Sequence, residues 1–157
     1  MLIQILNYFT SETIYLWFNY GVIPLWLALI FFPNSKLTEI FLTSILLPLI
    51  FASVYIYLAY KIIYSSENFL EIFDIYLSLN NLSDLLSNEL FLLIFWIHFL
   101  AISLFLGSWI SKDATRYNVP KIVYGPILII VYLTGPVGLV IYWFIRIFFA
   151  KKIALYD

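Results

Sequence analysis

Four runs of about twenty mostly apolar residues constrain this chain more than any motif in it. They lie at about 13–32, 39–63, 90–110 and 123–149. An α-helix rises about 1.5 Å per residue, so about twenty residues cross about 30 Å of hydrocarbon. Strands offer no alternative, because an open sheet in lipid leaves its edge N–H and C=O groups unpaired. The pattern therefore predicts an all-α, integral membrane four-helix bundle in one domain over residues 1–157. Hydrophobic residues make up 64% of the chain and charged residues 11%. A soluble domain averages about 25% charged residues, and one this apolar would expose patches that aggregate in water.

Between the second and third runs the composition changes. Residues 67–79 carry Glu67, Glu71 and Asp74, spaced four and three apart, on one helical face with Ser78. Phe69, Ile72, Phe73 and Tyr76 fall on the other. This spacing predicts an amphipathic interfacial helix. Its acidic face gains nothing from anionic headgroups. Asn80 to Asp84 follow as a break, with Ser83 or Asp84 as the cap of the next helix. The N-terminus lacks a basic stretch and a small-residue cleavage site, so the first run is expected to stay as a membrane helix.

Several functions are excluded or disfavoured. With no cysteine there is no disulfide or thiolate chemistry, and with one histidine there is no multi-His metal centre. The net charge of −1 offers no basic field for nucleic acid. No cofactor is implied. In the four-span arrangement, Lys61, Arg146, Lys151 and Lys152 share one side and Lys36, Lys112, Arg116 and Lys121 the other. With four bases on each side, the positive-inside rule favours neither orientation.

Candidate site residues are few. His98 sits within the third run, where an ionisable group is costly and turned inward. It is either a proton donor and acceptor or a neutral imidazole bonded to a neighbouring helix. Trp109 shares its face, while Trp96, Ser103 and Gly107 lie nearly opposite. Ser103 and Gly107 form a small-xxx-small pair, a pattern that lets a second helix approach closely. Asn19 and Trp26 mark a stripe on the first helix, and Tyr55 adds a polar tip to the second. Asn19 is either a pocket residue or a link between helices. The high aromatic content, 21%, fits interfacial belts and also the walls of a polyene or quinone site. Lys112 to Arg116 is expected to be a solvated loop in which Asp113 pairs with Arg116. The last run holds Gly125-Pro126, Gly135-Pro136 and Gly138, which predict a bend or local unwinding near Gly135.

Trp96-Ile-His98-Phe-Leu-Ala101, Leu104-Phe105-Leu-Gly107-Ser-Trp109, Asp113-Ala114, Val119-Pro120 and Gly135-Pro136-Val-Gly138-Leu-Val-Ile-Tyr142 resemble the neoxanthin-synthase-like family, the abscisic-acid-deficient-four type of membrane protein. Asn19, Trp26, Pro33, Pro48 and Tyr55 fit the same pattern, so the similarity covers nearly the whole chain. The family has an acidic residue five positions after the histidine and often an Arg after the small glycine. Here those positions are Ser103 and Ser108. A five-residue step turns a helix by about 140°, so the histidine and that position point apart.

The resemblance implies a membrane protein that binds or isomerises a carotenoid or related isoprenoid lipid without a redox cofactor. It implies a bacterial inner membrane, or a plastid membrane in a eukaryote. In plant members the linked reaction opens an epoxide and forms an allene, which needs a proton donor and a base. His98 is the candidate for either role. The alternative is a non-enzymatic membrane subunit or assembly factor that packs on another membrane protein through Ser103, Gly107 and the acidic amphipathic helix.

Overall fold

The computed structural model describes residues 9–42, 44, 46–65, 73 and 76–153. Among them it is all-helical, with seven helices and no strand. We number these α1 (Ser11–Phe31), α2 (Lys36–Leu42), α3 (Leu46–Ser65), α4 (Leu79–Leu86), α5 (Glu89–Arg116), α6 (Lys121–Thr134) and α7 (Pro136–Ala150).

Local chemistry sets most of the boundaries. Thr10 caps α1 by accepting the Thr13 N–H, and Pro33 follows its last turn. Ser35 caps α2 through the Thr38 N–H at 3.1 Å, and the Thr38 hydroxyl returns a bond to the Phe32 carbonyl at 2.6 Å. Ser78 caps α4 and Asn88 caps α5. Ser83 and Asp84, expected as a cap, lie inside α4. Most of the amphipathic segment expected at 67–79 lies outside the described residues.

Helix α5 is the axis of the molecule and packs against α1, α3, α4, α6 and α7. Its Ile97, Leu100, Leu104 and Ile110 are buried with Val22, Trp26 and Leu29 of α1, Leu58 of α3 and Leu128 and Val131 of α6. Helix α1 runs parallel to α5. Tyr15 lies beside Trp96, Trp26 beside Gly107, and the Leu29 carbonyl accepts from Ser111. The chain then returns through α2 and α3, with Tyr55 beside His98. The two ends of the bundle are named here for α5, the Glu89 end and the Arg116 end. The second apolar run is divided between α2 and α3, and the Ser108 hydroxyl donates to the Leu42 carbonyl where α2 stops.

The last run is where the structure differs most from expectation. It is two helices, and the second reverses on the first. Gly135 caps α6 and opens α7 with φ of +60°, a region open to glycine at little steric cost. Pro136 has no N–H to lose at the start of α7. Gly135 lies against Ser103 and Phe99, partway along α5. From there α7 climbs back, so that Tyr142 and Arg146 both bond Asp113 near the Arg116 end. A Cβ on Gly138 would stand 2.7 Å from the backbone N of Val131, so the two backbones touch just after the turn. Helices α6 and α7, of 14 and 15 residues, are each about 21–23 Å long, short of the hydrocarbon thickness. Among the described residues, α1 and α5 are by length and composition each long and apolar enough to cross a membrane, and α3 contains a shorter apolar helix, Leu49–Tyr64.

Candidate functional site

Helices α3 and α5 diverge around a groove with a cavity volume of about 510 Å³. Small-molecule sites occupy about 300–1,000 Å³. Its walls are apolar, among them Leu47, Phe51, Ile97, Leu104 and Phe105. The small side chains of Ala52 on α3 and Ala101 on α5 leave the space. Two polar side chains enter it. His98 is exposed into the groove, and the ring of Tyr55 lies 6.3 Å from it, tilted by 54°. His98 sits nine residues into α5, about 14 Å from its start, near the middle of the helix's apolar stretch.

Asn19 is elsewhere. Its amide donates to the Tyr15 carbonyl at 2.8 Å and its oxygen accepts from the Trp96 indole at 3.2 Å. The pair joins α1 to α5 on the side away from the groove. Trp26 lies in the same seam, buried against Gly107, with its ring 5.5 Å from that of Tyr132. The small-residue face of α5 is therefore filled by this chain. Gly107 receives Trp26, and Ser103 receives the Gly135 turn. Trp109 packs edge-on against Tyr142 of α7. Of the residues singled out by sequence, the structure brings His98 and Tyr55 together. It places Asn19, Trp26, Trp96 and Gly107 in the α1–α5 seam, and Ser103, Trp109, Gly135, Pro136 and Gly138 at the hairpin.

A third polar cluster has no counterpart among the residues nominated by sequence. Asp113 is the buried anchor of the hairpin, not a solvated loop residue. Its Oδ2 accepts from the Tyr142 hydroxyl and from Arg146 Nε, each at 2.7 Å. Arg146 is 1% exposed, and its Nη2 donates to the Tyr117 hydroxyl at 3.4 Å. Its guanidinium also lies over the Tyr117 ring, 4.8 Å from the centroid. The available signal was a single arginine inside an apolar fifteen-residue helix, which needs a partner. Among the described residues no group of three or more His, Asp or Glu could hold a metal ion.

The fold and groove define a class: a chain whose described residues are all-helical, with two helices among them long and apolar enough to cross a membrane, and an apolar groove holding one histidine and one tyrosine. Residues 13–142 match the ABA DEFICIENT 4-like family, and the chain belongs to that family, the one its motifs resemble. No curated protein and no solved structure matches the chain.

Proposed function

We propose that the protein is a multi-pass membrane protein whose α3–α5 groove binds a long apolar isoprenoid of the carotenoid class, with an oxygenated end at His98 and Tyr55. One observation carries the reading. The groove is apolar along its length and polar at one place, and that place holds the chain's only histidine. An amphiphilic polyene with a terminal oxygen function matches that distribution. The resemblance to neoxanthin-synthase-like proteins supports the same ligand class. The outer surface supports a lipid setting, since Ile56, Phe105 and Phe148 are each at least two-thirds exposed.

Within this reading His98 carries the proton chemistry of an isomerisation. An imidazolium gives its proton to an epoxide oxygen as the C–O bond breaks. The neutral imidazole then takes a proton from an adjacent carbon, and the second double bond of an allene forms. Proton number and oxidation level are unchanged, so one residue can serve as acid and then base. Tyr55 supplies a hydroxyl that holds the oxygen at that end. The small-residue face of α5 is already filled by Trp26 and the Gly135 turn, so the partner-docking reading through Ser103 and Gly107 gains no support from it.

Purification in mild detergent, followed by extraction of pigment and lipid, tests the proposal. The protein is expected to carry a stoichiometric isoprenoid. Ala101→Trp, which fills the groove, should remove it, and His98→Ala should abolish its conversion while retaining binding. A colourless, lipid-free preparation that brings down a stoichiometric protein partner sinks the reading.

A further inference from the structure

The hairpin changes the charge map of the molecule. Helix α6 starts at the Arg116 end, where Lys121 donates to the Phe31 carbonyl at 3.3 Å. Helix α7 returns to that end, because Arg146 bonds Asp113 and Tyr117. Lys151 and Lys152 follow Ala150 by one and two residues, so they lie there as well. Lys36 opens α2 at that end, and Lys112 and Arg116 close α5. These six side chains are exposed, and buried Arg146 is the seventh base. Of the eight Lys and Arg, Lys61 remains at the Glu89 end. Glu12, Asp84 and Glu89 lie at that opposite end, and Glu39 and Asp113 lie with the bases. The tie of four against four becomes seven against one.

From this juxtaposition of a half-length hairpin and a single basic end, we propose that the Arg116 end is a docking surface for anionic lipid headgroups of the cytoplasmic leaflet, with α6–α7 entering from that side without crossing. The proposal rests on the multi-pass reading above. Its physical basis is twofold. Two antiparallel helices of about 21–23 Å reach partway into about 30 Å of hydrocarbon. Bases flanking spans are held on the cytoplasmic side, where the leaflet is anionic. The hairpin tip keeps part of its backbone bonding. The Gly135 N–H bonds the Val131 carbonyl, the Leu139 N–H bonds the Gly135 carbonyl, and the tip rests on Ser103 and Phe99. The termini of the described chain then lie on opposite sides of the membrane.

The absence of native cysteine makes the test direct. Single substitutions Asn34→Cys, Asp84→Cys, Thr134→Cys and Ile153→Cys are placed in the full chain in a bacterial inner membrane and treated with an impermeant maleimide. In intact spheroplasts Asp84→Cys is expected to label and Asn34→Cys and Ile153→Cys are not; lysis exposes the latter two. Thr134→Cys, at the tip, is expected to stay unlabelled throughout. Ile153→Cys labelling together with Asp84→Cys overturns the hairpin. Asn34→Cys and Ile153→Cys labelling in place of Asp84→Cys overturns the orientation. Release of the protein by alkaline carbonate is a separate failure, that of the membrane reading itself. For the headgroup surface, phosphatidylglycerol is titrated against the detergent-solubilised chain with phosphatidylcholine as control. Lys36→Gln, Lys112→Gln and Lys151→Gln are each expected to weaken phosphatidylglycerol binding by about fivefold. Equal binding of the two lipids, or no loss on substitution, overturns it.

Discussion

Gly107 shows how one missing carbon positions two helices. A Cβ there would lie 2.5 Å from the Trp26 ring, and that ring has little room to retreat, since it also packs on Tyr132. Gly107→Ala is therefore expected to cost about 1–3 kcal/mol, the range for overpacking a filled core. Thermal unfolding in detergent measures it. Trp26→Leu in the same chain should recover part of the loss, and a double-mutant cycle that shows no coupling would remove Trp26 as the cause. The small-residue pair was legible in sequence, because small residues four apart on an apolar helix permit close approach. The identity of the approaching element was not. Trp26 and Asn19 were visible as polar or bulky positions on α1, and their partners Gly107 and Trp96 are more than seventy residues away in the chain. His98 with Tyr55 is the part of the candidate site that residue types alone could nominate.

At the scale of elements, a buried ion pair ties the α6–α7 hairpin to α5. Asp113 and Arg146 have side chains 7% and 1% exposed and meet at 2.7 Å. Removing one partner strands a buried charge, so Asp113→Ala is expected to lose about 3–5 kcal/mol. The double substitution Asp113→Leu with Arg146→Met removes both charges and should lose much less, with chemical denaturation in detergent as the measurement. A double variant as unstable as the single one would show that the pair does more than neutralise itself. This element explains why a fourth span was expected and a reversal was found. A Gly-Pro pair within an apolar run is compatible with a kink or a turn, and both leave the same composition. The Gly138–Val131 backbone contact and the Asp113–Arg146 bond decide between them, and both are tertiary. The caps divide the same way. Ser, Thr and Asn at helix starts were recognisable as a type, while the choice of Ser78 and Asn88 over Ser83 and Asp84 follows from where α4 and α5 pack.

At the scale of the molecule, the hairpin and a spanning helix make opposite statements about the chain's end. A helix that crosses moves whatever follows it to the other side, whereas a hairpin returns it. A reporter enzyme fused after Asn118 and one fused after Ile153 are therefore expected to report the same compartment, because α6 and α7 begin and end at the Arg116 end. Opposite compartments for the two fusions would mean that residues 123–149 cross, as the apolar run alone predicts. The charges agree with the hairpin independently of its contacts. With a fourth crossing, Arg146, Lys151 and Lys152 join Lys61, and insertion has no preferred direction. With the hairpin, one end holds seven of the eight bases, and a single orientation follows. In that orientation the acidic Glu89 end faces away from the anionic leaflet. The His98 groove lies near the middle of α5, between the two ends, so the proposed function has an apolar ligand enter it from the bilayer rather than from water.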